Sequence, residues 1–298
     1  MGRDVSRARL SLIAATFIFG TIGILRRYLP VPSGFLAMTR GLLGATFLLL
    51  LLGARRQRPN LGAIRSNLRP LALSGVMIGV NWILLFESYR YTTVAVATLG
   101  YYMAPVFILL SAPLLLRERL TPRKLVCVIA ALFGMALVSG VTGISEAPDW
   151  RGVLLGLGAA LLYAGVVLVN KGVHGVSGLE RTVVQVGTAG VVLIPYVALT
   201  EDLSSVSLTP LTLALLLTAG LVNTGLAYAL YFGSIDALPA HTLALLSYLD
   251  PVVALLLSAV VLREPMTLST AAGAVMILCA AVAAELPEPS QPKQKQNI

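Results

Sequence analysis

The sequence predicts an all-α integral membrane protein of ten transmembrane helices, arranged as two inverted five-helix repeats with the N- and C-termini cytoplasmic. Three observations carry this reading. Of 298 residues, 57% are hydrophobic and only 12% charged, with a mean hydropathy of +0.87, whereas a soluble globular chain carries about 25% charged residues. Apolar runs recur along the whole chain, each close to the roughly 20 residues that cross a bilayer. The two halves also repeat one another at an offset of 146 residues. The composition excludes a disordered chain, which is poor in apolar residues, and leaves no room for a bulky soluble catalytic domain.

The runs fall at 9–27, 33–53, 70–89, 93–116, 124–141, 151–171, 181–200, 210–234, 239–262 and 268–285. The first follows a basic start (Arg3, Arg7, Arg9), with no A-x-A-like cleavage site before the next run, so it reads as a retained helix. Pro30 and Pro32 separate it from the second, and the basic stretch Arg55 to Arg69 separates the second from the third. Pro122 opens the fifth, and the polar run Ser145 to Trp150 divides the halves. Later cuts lie at Gly175 to Gly178, Glu201 to Ser205, Pro239 and Pro265. The tail beyond Glu285 is rich in Pro, Gln and Lys and is expected to be disordered. The domain reading is therefore a first repeat at 1–142, a second at 149–286 and a cytoplasmic tail at 287–298.

Lysine and arginine set the orientation. With the N-terminus inside, the inner segments hold 16 of the 22 basic residues, the outer segments hold 5, and Arg40 lies within helix 2. The net charge of +9 is thus an orientation signal facing anionic headgroups. Nucleic-acid binding would require a solvated basic face interleaved with aromatics. Cys127 and Cys279 lie in apolar runs without a CxxC or metal spacing and read as small buried hydrophobes. No cofactor or metal is expected.

The repeat lays Phe86 on Phe232, Ser88 on Ser234, Tyr102 on Tyr248 and Pro105 on Pro251. It also lays Arg117-Glu118 on Arg263-Glu264 and Thr121 on Thr267. Leucine matches in apolar runs are cheap, but Tyr-x-x-Pro followed twelve residues later by Arg-Glu-x-x-Thr, twice in register, is not. Five spans per copy make the second copy enter from the opposite side. Inverted repeats of this kind suit alternating access around a site near the bilayer midplane.

The segments Leu99-Gly-Tyr-Tyr-Met-Ala-Pro105, Leu116-Arg-Glu-Arg-Leu-Thr121 and Leu262-Arg-Glu-Pro-Met-Thr267 resemble the EamA branch of the drug/metabolite transporter superfamily, over nearly the whole chain. Within that branch the sequence is similar to bacterial aromatic amino acid exporters. Helix 1 carries Phe17-Ile-Phe-Gly20 where many members have a tryptophan before that glycine. The resemblance implies a secondary transporter of the bacterial inner membrane that exports amino acids, with an aromatic preference and with other neutral amino acids as further cargo.

Polar side chains in the hydrocarbon region are costly and mark functional sites. Ala95, Thr98, Tyr101 or Tyr102 and Pro105 share one face of helix 4, and His241, Ala244, Ser247 or Tyr248 and Pro251 share one face of helix 9. Pro105 and Pro251 should kink their helices and free a carbonyl one turn upstream, either for substrate or for a neighbour. Asn81, Tyr163, Asn223, Tyr228 and Tyr231 add polar or aromatic groups on helices 3, 6 and 8. Tyrosine supplies a stacking face, a hydroxyl and an attraction for ammonium. The substrate-binding candidates are Asn81, Thr98, Tyr101, Tyr102, Tyr163, Asn223, Tyr228, Ser247, Tyr248 and Asp250. Tyr28, Tyr89 and Tyr91 fit an interfacial belt. Pro105, Pro251 and Gly20 are gating or kink candidates.

Four ionisable groups stand out. Arg40 and Glu87 reach similar depth from helices 2 and 3 and either pair or, for Arg40, snorkel to the headgroups. Asp250, beside Pro251, is the costliest carboxylate position and the first candidate to bind a substrate ammonium or a coupling proton. His241 titrates in the useful range and is a secondary proton candidate.

The expected partners are a small-molecule substrate and the lipid bilayer, with no nucleic acid. A monomer suffices, and a dimer is compatible. The alternatives are a carrier for another small organic metabolite or drug, or a channel-like facilitator. An enzyme is disfavoured because the two histidines, His174 and His241, form no H-E-x-x-H motif. A primary pump is disfavoured by the lack of a phosphate-binding loop.

Overall fold

The computed structural model describes residues 2–56, 59–111, 121–138, 149–235, 237–238 and 240–286. Among these the chain is helical throughout, without a strand. In order the helices are α1 (Gly2–Gly20), α2 (Ile22–Tyr28), α3 (Ser33–Ala54), α4 (Leu61–Ser66), α5 (Leu68–Tyr91), α6 (Val94–Tyr101), α7 (Ala104–Ser111) and α8 (Pro122–Val138). They continue as α9 (Trp150–Asn170), α10 (Gly178–Thr200), α11 (Pro210–Leu217), a π-helical stretch (Thr218–Leu226), α12 (Ala227–Ile235), α13 (Ala240–Ser247), α14 (Leu249–Val260) and α15 (Leu268–Glu285).

Seven helical stretches among the described residues are long and apolar enough to cross a membrane: Val5–Tyr28, Ser33–Ala54, Leu68–Tyr91, Val94–Ser111, Trp150–Asn170, Gly178–Thr200 and Pro210–Ser234. Leu249–Val260 and Leu268–Ala284 are shorter apolar helices. Helix falls within each expected run, and seven of the runs yield a stretch long and apolar enough to span. Helix 1 is interrupted at Thr21, helix 4 at Tyr102 and Met103, and helix 9 at Tyr248. The basic stretch expected as punctuation folds into the short helix α4, whose N-cap Asn60 accepts the Ala63 amide. The Arg117-Glu118 pair of the first repeat, Pro239 and residues 287–298 lie outside the described residues.

The helices pack in pairs that exchange when the halves exchange. Helix α5 of the first half lies on α9 of the second, as α12 of the second lies on α1 of the first; α10 lies on α5 as the π-helical stretch lies on α3. Likewise α6 and α7 contact α9, while α14 and α13 contact α1. Three pairs join equivalent helices: α3 with α10, α6 with α14, and α8 with α15. The α3–α10 crossing is tight at Gly41 and Gly190, where a Cβ added to Gly41 would come within 2.9 Å of the Gly190 backbone. Helices α8 and α15 pack chiefly on each other.

One end of the bundle is held by buried or half-buried polar contacts. Glu264 accepts the Val94 amide at 2.8 Å, pairs with Arg27 at 2.8 Å and takes the Ser258 hydroxyl. Arg27 also donates to the Thr92 carbonyl at 2.7 Å. Glu201 accepts the amides of Gly34 and Phe35 at 2.7 and 2.8 Å, satisfying orphan donors at the start of α3.

Candidate functional site

The breaks in helices 4 and 9 bring the candidate residues together. Proline lacks an amide donor and is tolerated in the first turn of a helix, where that donor would be orphaned. Pro105 and Pro251 sit in the first turns of α7 and α14, so each long apolar run ends and restarts three residues before its proline, at Tyr102 and Tyr248. Asp250 then falls in the first turn of α14, where the helix dipole favours a carboxylate.

Tyr102 Oη donates to Asp250 Oδ2 at 2.6 Å, joining the two halves at these breaks. The Tyr102 and Tyr248 rings lie 6.4 Å apart. Tyr102 meets Tyr101 edge-on at 6.0 Å, and Tyr101 meets Tyr163 at 5.5 Å. Tyr163, at the end of this series, is 42% exposed. A second aromatic group joins helices 1 and 8: Phe19 lies 5.3 Å from Tyr228 and 6.3 Å from Tyr231, and Phe232 packs on both tyrosines.

Helix 1 is fitted closely to this region. A Cβ on Gly20 would come within 2.7 Å of the Asp250 carbonyl and of Val253, so only glycine allows α1 to lie against α14 here. Asn223, in the π-helical stretch, donates to the Ile18 carbonyl at 2.6 Å and to Thr21 Oγ1 at 2.8 Å, supporting the break in helix 1. Asn81 donates to the Ala159 carbonyl at 2.5 Å, between α5 and α9. Both asparagines thus spend amide donors on neighbouring helices. Thr98 is buried with its hydroxyl 3.4 Å from that of Tyr89, and Ser247 donates back to the Leu243 carbonyl. The side chain of His241 lies outside the described residues.

Arg40 and Glu87 do not meet. Glu87 pairs with Arg90, three residues on, at 2.7 Å and accepts the Ser33 hydroxyl at 2.6 Å; Arg26 in turn donates to Ser33 at 3.1 Å. Arg90 wins because it shares Glu87's helix face at the i,i+3 spacing. Snorkelling fails too, since Arg40 is only 6% exposed. Its guanidinium lies over the rings of Trp82 at 4.2 Å and Phe86 at 5.4 Å, and its Nε donates to Thr224 at 3.0 Å. Tyr89 is a further correction: at 3% exposure it belongs to the core, while Tyr28 and Tyr91 are exposed.

The residues not singled out in the sequence are Trp82, Phe86, Phe19, Thr224, Arg26, Arg27 and Glu264. The repeat held a signal for three of them, Phe86 being already paired with Phe232. The 146-residue offset lays Trp82 on Tyr228, a cavity candidate, and marks Glu264 as part of the second Arg-Glu motif.

Residues 7–140 and 150–284 match the model of the EamA-like transporter family. The chain is 30% identical over 280 residues to an uncharacterized transporter, YxxF, of Bacillus subtilis (strain 168), covering 92% of this chain and 88% of that one. It is 28% identical to protein PecM of Dickeya dadantii (strain 3937), covering 88% and 86%, and 25% identical to protein RarD of Salmonella typhi, covering 86% and 87%. A solved crystal structure aligns with a TM-score of 0.64 at 20% identity over 94% of this chain and 96% of that one, a likeness of fold.

Proposed function

The chain belongs to the EamA-like transporter family, and from that premise we propose that it exports amino acids, with an aromatic preference, across the bacterial inner membrane by alternating access. The single observation that carries this reading is the Tyr102–Asp250 contact at the meeting of two proline-broken helices. A carboxylate attracts an ammonium, and the rings of Tyr101, Tyr163 and Tyr248 offer faces for stacking and for cation–π attraction.

The repeats at 1–142 and 149–286 are read as inverted five-helix halves of a ten-helix carrier. Two features support that reading: the family match falls in two segments, and the helix pairs exchange when the halves exchange. The positive charge bias favours cytoplasmic termini. Helices 4 and 9 touch through α6 and α14, at the Glu264 end, while their other halves turn to different neighbours, α7 to α8 and α9, α13 to α1 and α15. Such divergence suits a cleft open at one end, and Asp250 lies at its apex. Asp250 is also the place where a coupling proton would bind.

Purified protein in liposomes, offered a panel of amino acids with and without a pH gradient, tests the reading. Saturable movement of phenylalanine, tyrosine or tryptophan is expected. Movement of none of the panel would discard the substrate.

A further inference from the structure

Arg40 is the buried charge that the Tyr–Asp cluster leaves unexplained. It is only 6% exposed, inside a stretch long and apolar enough to cross a membrane. Only its Nε has a partner among the described residues, the Thr224 hydroxyl. The two terminal nitrogens have none among those residues. One face of the guanidinium is held by Trp82 and Phe86. Tyr101 and Tyr228 pack against the same apolar cluster that contains Trp82 and Phe86. Tyr101 meets Tyr102, the hydroxyl donor to Asp250, while no ion pair joins Arg40 to that carboxylate.

A desolvated guanidinium needs acceptors for its remaining donors, and the ring faces supply none. Its planar fork matches a carboxylate through two parallel hydrogen bonds. Stacking on Trp82 fixes that plane in advance, which lowers the ordering cost of binding. We infer that Arg40 is the carboxylate-binding residue of the substrate site, so that the transported molecule bears an anionic carboxylate at Arg40 and a cationic or aromatic portion toward Asp250 and the tyrosines. This deepens the amino acid reading and rests on it for the second half only. A single arginine facing a carboxylate across the cluster disfavours a phosphate dianion, which calls for several cations.

Binding of three probes to the purified protein, followed by the shift of its thermal-denaturation midpoint, tests the assignment. 3-Phenylpropionate carries the carboxylate alone, phenethylamine the ammonium alone, and L-phenylalanine both. Wild-type protein should bind 3-phenylpropionate and phenylalanine; Arg40→Gln should weaken both at least tenfold and leave phenethylamine unchanged, with Arg40→Lys in between. Should Arg40→Gln not fold, wild type and Arg40→Lys decide: failure of the wild type to bind 3-phenylpropionate, or binding by Arg40→Lys indistinguishable from wild type, overturns the inference. Unaltered carboxylate binding by folded Arg40→Gln, or phenyl phosphate binding tighter than 3-phenylpropionate, does the same. The two readings separate cleanly. Arg40-dependent binding of 3-phenylpropionate without phenylalanine transport sinks the amino acid reading alone, and phenylalanine transport with an unchanged KM in Arg40→Gln sinks the carboxylate assignment alone.

Discussion

At Asp250 a carboxylate, one phenol and a helix N-terminus meet where hydrocarbon would otherwise be expected. Replacing it by asparagine keeps an acceptor for Tyr102 and removes the charge. An ammonium-bearing substrate should then lose at least about tenfold in kcat/KM, the equivalent of about 1.4 kcal/mol; liposome transport checks it, and full transport by Asp250→Asn would refute the role. Tyr102→Phe deletes a single neutral donor to a charged acceptor and should cost about tenfold or more in the same assay. Asp250 was legible in the sequence because a carboxylate beside a proline inside an apolar run has few explanations. The surroundings of Arg40 were not. Sequence reports depth along a helix but not which face meets which neighbour, and Glu87 had a closer cation in Arg90 on its own helix.

The breaks in helices 4 and 9 were legible as elements, since Pro105 and Pro251 cannot continue a hydrogen-bond ladder. The break at Thr21 and the π-helical stretch Thr218–Leu226 had no comparable residue to announce them, because they depend on Asn223 reaching across from another helix. Gly20 is where these elements touch. Gly20→Leu should force α1 from α14 and destabilise the protein by about 1–3 kcal/mol, seen as a lower thermal-denaturation midpoint together with lost transport. At the opposite side of the same helices, Glu264 gathers Arg27, the Val94 amide and Ser258. Residues in one such network couple, so a double-mutant cycle of Arg27→Ala and Glu264→Gln should show an interaction of about 0.5–3 kcal/mol; additive effects on stability would mean the pair contributes nothing.

For the molecule as a whole, the same apolar excess that announced a membrane protein hid its architecture, because leucine and valine fit almost any helix pairing. The repeat supplied what composition could not. The exchanged pairings α5–α9 with α1–α12, and α5–α10 with the π-helical stretch on α3, are those that two related halves would make. A carrier built as proposed would hold substrate at the meeting of the halves and expose it to one side at a time. Counterflow measures this most directly: liposomes loaded with unlabelled tryptophan and diluted into labelled tryptophan should accumulate label transiently above its equilibrium level. Simple equilibration without an overshoot would contradict a carrier, and an absence of tryptophan movement together with phenylalanine and tyrosine would contradict the aromatic amino acid reading itself.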